Sequence, residues 1–285
     1  MKKLFIITFC LLASAFFTTC DIIEAPYLDT NEPVWNGRKS LILDFTGHMC
    51  GNCPYAHRTI VSMQNNFGEA VVPIAVHCGY FSMLASNDPL QPYHYDFTTD
   101  VGLELGGNGF TSYGYFGVQS QPIGVVNHLI PESLKAHDGW GSEIAKYYSS
   151  FPELMIHVDK TFNETDSTLI AVVHVESQIE STRNLSLAVY ITESHIIQWQ
   201  TDYSQTDSNV EDYEHNHVLR GSFNGAWGDA INTNNNPITR LQQFEKEYSL
   251  KTGLDWVPAN LSIIAFVYDT DSKEVLQCEE IHVGE

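Results

Sequence analysis

The run Leu41-Ile42-Leu43-Asp44-Phe45 is almost continuously apolar, the pattern of a strand buried on both faces of a parallel or mixed sheet. Ala56, Ile60, Met63 and Phe67 follow at spacings of four, three and four, which predicts an amphipathic helix that Gly68 ends. Val71 to Val76 reads as a second buried strand, so the three elements form a crossover that lays the helix on a sheet face. Between 80 and 120 the pattern weakens. A helix is expected within 93–105, and the Gly, Asn and aromatic residues of 106–117 read as a loop. Ile123 to Leu129 is a further strand, and Ile144, Tyr148 and Phe151 mark a closing helix.

Beyond Pro152 the period changes to two. Leu185, Leu187, Val189 and Ile191 alternate with smaller or more polar residues, and Leu169 to Val175 and Leu261 to Tyr268 repeat the habit. Asp269-Thr270-Asp271-Ser272 has hairpin-turn composition, with a return strand from Val275 to Val283 that a bulge at Glu279-Glu280 would interrupt. A long irregular insert is expected over 198–236, and a helix from Ile238 to Leu250 with Gly253 just past it. The expected architecture is therefore an α/β domain over 40–152, a mixed sheet with flanking helices, followed by a mainly antiparallel, β-sandwich-like domain over 153–285.

The first residues belong to neither unit. Lys2 and Lys3 precede an uncharged apolar run over 4–17, too short to span a bilayer and of the right length for the core of a signal peptide. Residues 1–19 are read as that peptide, which would remove Cys10. Ala13-Ser14-Ala15 offers a small-residue cleavage site, while Cys20 directly after the run fits the lipid-bearing cysteine of a bacterial lipoprotein. The acidic, Pro-containing stretch that follows, 20–39, favours the lipid anchor and tether. Charge then narrows the partners: 14 Lys and Arg against 35 Asp and Glu, a formal net charge of −21, repel phosphate backbones and exclude nonspecific nucleic-acid binding. No motif requires a cofactor.

The sharpest chemical signal is Cys50-Gly51-Asn52-Cys53-Pro54, set between the first strand and the amphipathic helix. A helix N-terminus favours an anion, so a thiolate at Cys50 is stabilised there, and two intervening residues let both sulfurs meet within one turn. Pro54 is tolerated because early helix N–H groups lack partners. Cys50 reads as the attacking thiolate and Cys53 as its resolving partner. Three other readings stand beside this one: half of a zinc site, which has no second CxxC or well-spaced CxxH; an inert structural disulfide; and a soft-metal site recruiting His48, His77 or Cys78.

With those residues in view, Asp44-Phe45-Thr46-Gly47-His48-Met49-Cys50-Gly51-Asn52-Cys53 resembles the strand-to-active-site segment of the thioredoxin-like superfamily. The resemblance implies a thioredoxin-like domain in which Asp44 is the buried carboxylate that takes a proton from the resolving thiol. Gln121-Pro122 before a strand looks like the family's cis-proline, with Pro122 shaping a groove for an extended peptide. Met49 before the first cysteine, Gly-Asn between the pair and Pro54 after it depart from the common pattern, and bear on redox potential and substrate. The wider sequence, including His215-Asn216-His217-Val218-Leu219-Arg220, is similar to the outer-membrane lipoprotein family named after a twenty-eight-kilodalton outer-membrane protein. That resemblance implies an outer-membrane lipoprotein, with adhesion as a suggested role. Two functions follow as expectations. One is thiol–disulfide exchange on exported proteins or peptides carrying thiols or disulfides, from an anchored position. The other is non-catalytic surface binding with a static disulfide.

Lesser groups complete the reading. His215 and His217 would share one face of a strand and, with His195 or Glu211, can be imagined around a metal; hydrogen bonding within a polar insert is the favoured reading. Trp199, Tyr203, Tyr213, Phe223 and Trp227 form either a binding surface or, as favoured, the anchors of the insert on the sheet. Cys78, at the edge that carries the pair, is a third redox thiol or a buried strand-end residue, and Cys278 reads as core.

Overall fold

The computed structural model describes residues 37–232 and 236–284, which belong to one compact unit. The expected signal peptide, the lipid-bearing Cys20 and most of the tether lie outside the described residues. Among those described, no helix is long and apolar enough to cross a membrane.

The first crossover forms where the apolar pattern places it. Strand β1 (Ser40–Thr46) is buried at every position, helix α1 (Cys53–Phe67) follows, and β2 (Val71–His77) returns parallel to β1. Gly68 ends α1 with φ +56, a conformation that costs a side-chain-bearing residue but not glycine. Helix α2 (Asp100–Gly106), strand β3 (Ile123–Val126) antiparallel to β1, and helix α3 (Trp140–Tyr147) complete this region. Alternation along β1 divides its side chains between two cores. Ile42 packs with Ala56, Ile60 and Met63 of α1 and with Trp140 and Ile144 of α3, whereas Leu41, Leu43 and Phe45 face the opposite side. Asp44, in phase with Ile42, is thereby turned toward α1.

Helix α2 is shorter than the sequence pattern suggests, and its start is fixed by Thr99, extended at φ −134 and ψ 157, whose hydroxyl accepts a hydrogen bond from the Gly102 N–H. Thr99→Ala is expected to cost about 1 kcal/mol in urea unfolding, with Thr99→Ser close to neutral.

The remaining strands are β4 (Leu154–Asn163), β5 (Thr168–Ser177), β6 (Leu185–Glu193), β7 (Ile196–Thr201), β8 (Asn209–His215), β9 (Val218–Ser222), β10 (Asp229–Ala230), β11 (Gln243–Lys251), β12 (Leu261–Asp269) and β13 (Val275–His282). They do not close on themselves. One mixed sheet runs β13-β12-β6-β9-β2-β1-β3, with β10 on β6, so hydrogen bonding passes from β2 to β9 across position 152. A three-stranded antiparallel sheet, β11-β5-β4, packs over one face of β6 and β12 through Val173, Val175, Leu187, Val189, Ile263 and Ala265. Ala188, Tyr190, Ile264 and Phe266, on the opposite face of the same strands, join the core that holds Phe45 and Val76. The architecture is mixed α/β with added antiparallel sheet.

Three local expectations are corrected. From Gln243 on, the residues expected as a helix from Ile238 to Leu250 form the edge strand β11, and Ile238 makes an isolated bridge to Ser181. Phe244, Tyr248 and Leu250 reach the sandwich core at even spacing, while Glu245, Lys246 and Glu247 face solvent, so tertiary pairing with β5 overrides the helix preference of Glu, Lys and Leu. The described residues of the insert expected over 198–236 include β8, β9, β10 and the end of β7 rather than irregular loop alone. The irregularity in β13 falls at Leu276, between the pairs Val267 with Gln277 and Tyr268 with Val275, while Glu279 and Glu280 pair in register with Ala265 and Ile264. The bulge lets Leu276 enter the sandwich core, where it is 2% exposed.

Candidate functional site

The segment between β1 and α1 is held by backbone as much as by the cysteines. Met49 N–H donates to the Phe81 carbonyl (2.9 Å), Cys50 N–H to Gly47 (3.0 Å) and Cys53 N–H to Cys50 (3.1 Å). Gly47 is required by closeness, since a Cβ there would lie 2.6 Å from the Phe81 carbonyl carbon. Cys50 and Cys53 are disulfide-bonded, with Pro54 in the first turn of α1. Both are buried: Cys50 is 3% exposed and Cys53 0%.

On the face of β1 that α1 covers lies a carboxyl without a hydrogen bond. Asp44 is fully buried and neither of its oxygens has a hydrogen bond; His57 Nε2, one turn after Cys53 on α1, lies 3.7 Å from it. Desolvation lifts the Asp44 carboxyl to about 8, so near neutral pH it holds its proton. His57 contacts the Thr46 hydroxyl (3.1 Å) and, through Nδ1, the Tyr213 hydroxyl (2.8 Å); burial first, then Arg58, lowers it to about 4. His57 carried no sequence signal beyond its spacing of four from Cys53.

The strand ends meet at one edge. The Gln121–Pro122 peptide is cis, and the Gln121 amide donates to the carbonyls of Thr46 (2.8 Å) and Cys78 (2.9 Å), placing Pro122 beside the end of β1. Cys78 is a buried free thiol, packed so closely on Gly106 that a Cβ there would collide with its sulfur, and burial pushes its thiol up to about 12. Such a thiol is not a working nucleophile near neutral pH. Cys278 is likewise a buried free thiol, within the core as expected.

A feature hidden from the sequence closes the site. The tip joining β7 to β8 lies along the cysteine loop: Thr201 N–H donates to the His48 carbonyl (2.8 Å) and Tyr203 N–H to the Gly51 carbonyl (2.9 Å). The fully buried Gln200 amide donates to the carbonyls of Cys50 (3.1 Å) and Gly47 (3.3 Å). Asp202 is ion-paired with Arg58 (3.0 Å), and the Tyr203 ring lies on Gly51 so closely that a Cβ there would be 2.5 Å from it.

The histidines separate into two groups. His215 ends β8, whereas His217 occupies the turn to β9 at φ +57, so the expected shared strand face does not exist: the chain reverses between them. His215 instead joins His77 around Phe97, with ring centroids 4.6 Å and 4.4 Å from it, and His48 lies 5.7 Å away on the same ring. Burial lowers all three, His215 to about 3. His217 lines a cavity of about 500 Å³ with His57, His195, His282, Arg58 and Gln64. Among the described residues, no three His, Cys, Asp or Glu side chains are grouped so as to hold a metal ion. Of the expected aromatic anchors, Trp227 and Phe223 pack on the two cores, Tyr213 reaches His57, and Tyr203 covers the cysteine loop.

Comparison with known proteins agrees with this architecture. HBP35 of Porphyromonas gingivalis is similar in fold over 87% of this chain and 76% of its own, with a TM-score of 0.62 and 16% identity. A domain of the outer membrane lipoprotein Omp28 from Porphyromonas gingivalis is 20% identical over 46% of this chain and 88% of that one, with a TM-score of 0.31. No curated protein matches the chain. The family model described as outer membrane protein Omp28 matches residues 110–285, more than half of the sequence. The chain belongs to the Omp28 outer membrane protein family, and with it to the bacterial outer membrane.

Proposed function

We propose that Cys50 and Cys53 form a thiol–disulfide exchange site within a thioredoxin-like arrangement, serving exported proteins that carry thiols or disulfides, on a chain anchored through a lipid at Cys20. The observation that carries this reading is Asp44. A carboxyl at 0% exposure, turned toward α1 without a hydrogen bond and holding its proton near neutral pH, costs stability and has no structural partner to justify it. In the exchange, the Cys50 thiolate attacks one sulfur of a partner disulfide. A mixed disulfide forms and the partner's other sulfur leaves as thiolate. Cys53, losing its proton to the minor fraction of Asp44 that is ionised near neutral pH, then attacks the Cys50 sulfur, so the partner leaves as a dithiol and the Cys50–Cys53 disulfide remains. The reverse sequence oxidises a partner dithiol, with protonated Asp44 as the acid for the departing Cys53. Pro122 borders the groove where the partner chain lies.

A second reading keeps the disulfide static and assigns binding or adhesion to the β strands; the cover over Cys50 favours it. The two separate in one experiment. Cys53→Ser leaves Cys50 unable to resolve, so reduced variant in envelope extract is expected to accumulate partner adducts that reductant releases and that Cys50→Ser, Cys53→Ser lacks. Repeated absence of any adduct favours the static disulfide.

A further inference from the structure

The segment that covers the cysteine loop is bound as a peptide would be. Thr201, at the end of β7, and Tyr203, in the turn that follows, donate alternate backbone N–H groups to the His48 and Gly51 carbonyls of the cysteine loop. Between them, the Asp202 N–H turns back to the Ser208 carbonyl (2.7 Å) and its carboxylate meets Arg58 at 3.0 Å. Tyr203, 63% exposed, lays its ring on the one residue of the Cys50–Cys53 loop that has no side chain. Each contact uses a different property of the loop: free carbonyls, a cation one turn into α1, and a bare glycine surface. The ribbon that carries the segment has no other strand beside it: β7 and β8 pair only with each other, and side chains such as Tyr213 on His57 and His215 on Phe97 hold it in place.

We infer that Gln200–Tyr203 is an internal occupant of the substrate groove, and that the partner is a polypeptide segment presenting an acidic residue to Arg58 and, next to it, an aromatic residue to Gly51. This deepens the exchange reading and rests on it: the partner gains access to Cys50 by replacing the chain's own tip, so a matching segment opens the site and a poorly matching one does not. The buried state of Cys50 is then the resting, self-occupied state of the groove.

The test uses the reduced protein in a Cys53→Ser background, which leaves Cys50 as the site thiol, and follows its alkylation by iodoacetamide. Tyr203→Ala removes an exposed ring and is expected to speed alkylation by about 10-fold or more. The peptide Gln-Thr-Asp-Tyr-Ser is expected to slow it again, and the same peptide with Lys for Asp to have little effect. Arg58→Glu, added to Tyr203→Ala, is expected to reverse that preference. Equal alkylation with and without Tyr203 overturns the covering role, and equal protection by the two peptides overturns the specificity. Amide hydrogen exchange in the intact chain is an independent check. Thr201 and Tyr203 are expected to exchange at least ~100-fold faster than the β12 amides, and exchange only by global unfolding overturns displacement. None of these readouts needs a partner disulfide. Failure to trap a mixed disulfide therefore counts against the exchange reading, and failure of peptide protection counts against the groove.

Discussion

Acidification from pH 7 to pH 5 is expected to remove on the order of 4 kcal/mol of folding stability, more than enough to shift a urea midpoint visibly. The cause is a set of imidazoles buried in neutral form. His57 and His217 are lowered to about 4, His215 to about 3, and His77 well below its ordinary value, in each case first by desolvation. A base whose folded pKa is depressed binds fewer protons folded than unfolded. Its contribution is intact above the unfolded value near 6.5 and is lost as pH falls toward the folded value. At pH 5 each such imidazole costs up to about 2 kcal/mol. Asp44 works in the opposite direction. With its folded value raised to about 8 from 3.8, the folded chain binds its proton more tightly, and stability rises as pH falls through that window. Asp44 returns roughly 2–3 kcal/mol between pH 7 and 5, leaving the net loss stated. Urea titrations at the two pH values, followed by tryptophan fluorescence, check it. An unchanged or higher midpoint at pH 5 contradicts the buried neutral state. His77→Phe is expected to reduce the pH-dependent loss by about 1–2 kcal/mol.

The second large effect separates function from stability at a single residue. Asp44→Asn is expected to slow thiol–disulfide exchange about 100-fold near neutral pH, because the resolving thiol loses its proton acceptor. The same change is expected to stabilise the fold at pH 8 and above by ~2–5 kcal/mol, since burying an ionised carboxylate without a partner is the cost that it removes. Sign and window follow from the raised value. The stabilisation of the variant over the parent grows from pH 4 to pH 8 and vanishes below about 4, where the unfolded carboxyl is also protonated. Rates on a model peptide disulfide and urea midpoints at pH 4.5 and 8.5 give both halves. A variant that exchanges at the parental rate removes Asp44 from the mechanism, whatever its stability.

Legibility differed between elements for physical reasons. β1, α1 and β2 could be read because burial on both sheet faces forces continuous apolar runs and a helix on a sheet needs an apolar stripe. The cysteine pair, Asp44 and the cis Gln121–Pro122 peptide could be marked because each sits at a fixed place relative to those elements. β11 could not, since Gln243 to Lys251 carries good helix formers and its strand state depends on β5, more than sixty residues away. The tip at Gln200–Tyr203 left still less trace. Its contacts join residues about 150 positions apart, and its polar composition is that of any surface turn. His57 fell between these cases: its spacing from Cys53 was visible, but its closeness to Asp44 required the crossover to be built.

A Cys50–Cys53 bond that is made and broken in service shows itself most directly in its reduction potential. Equilibration with defined thiol–disulfide buffers, quenched by alkylation and read by mass, is expected to give a value above about −300 mV, within the range of working redox pairs. A value well below that, with the pair still oxidised under strongly reducing conditions, would identify a structural staple and rule out exchange at this pair.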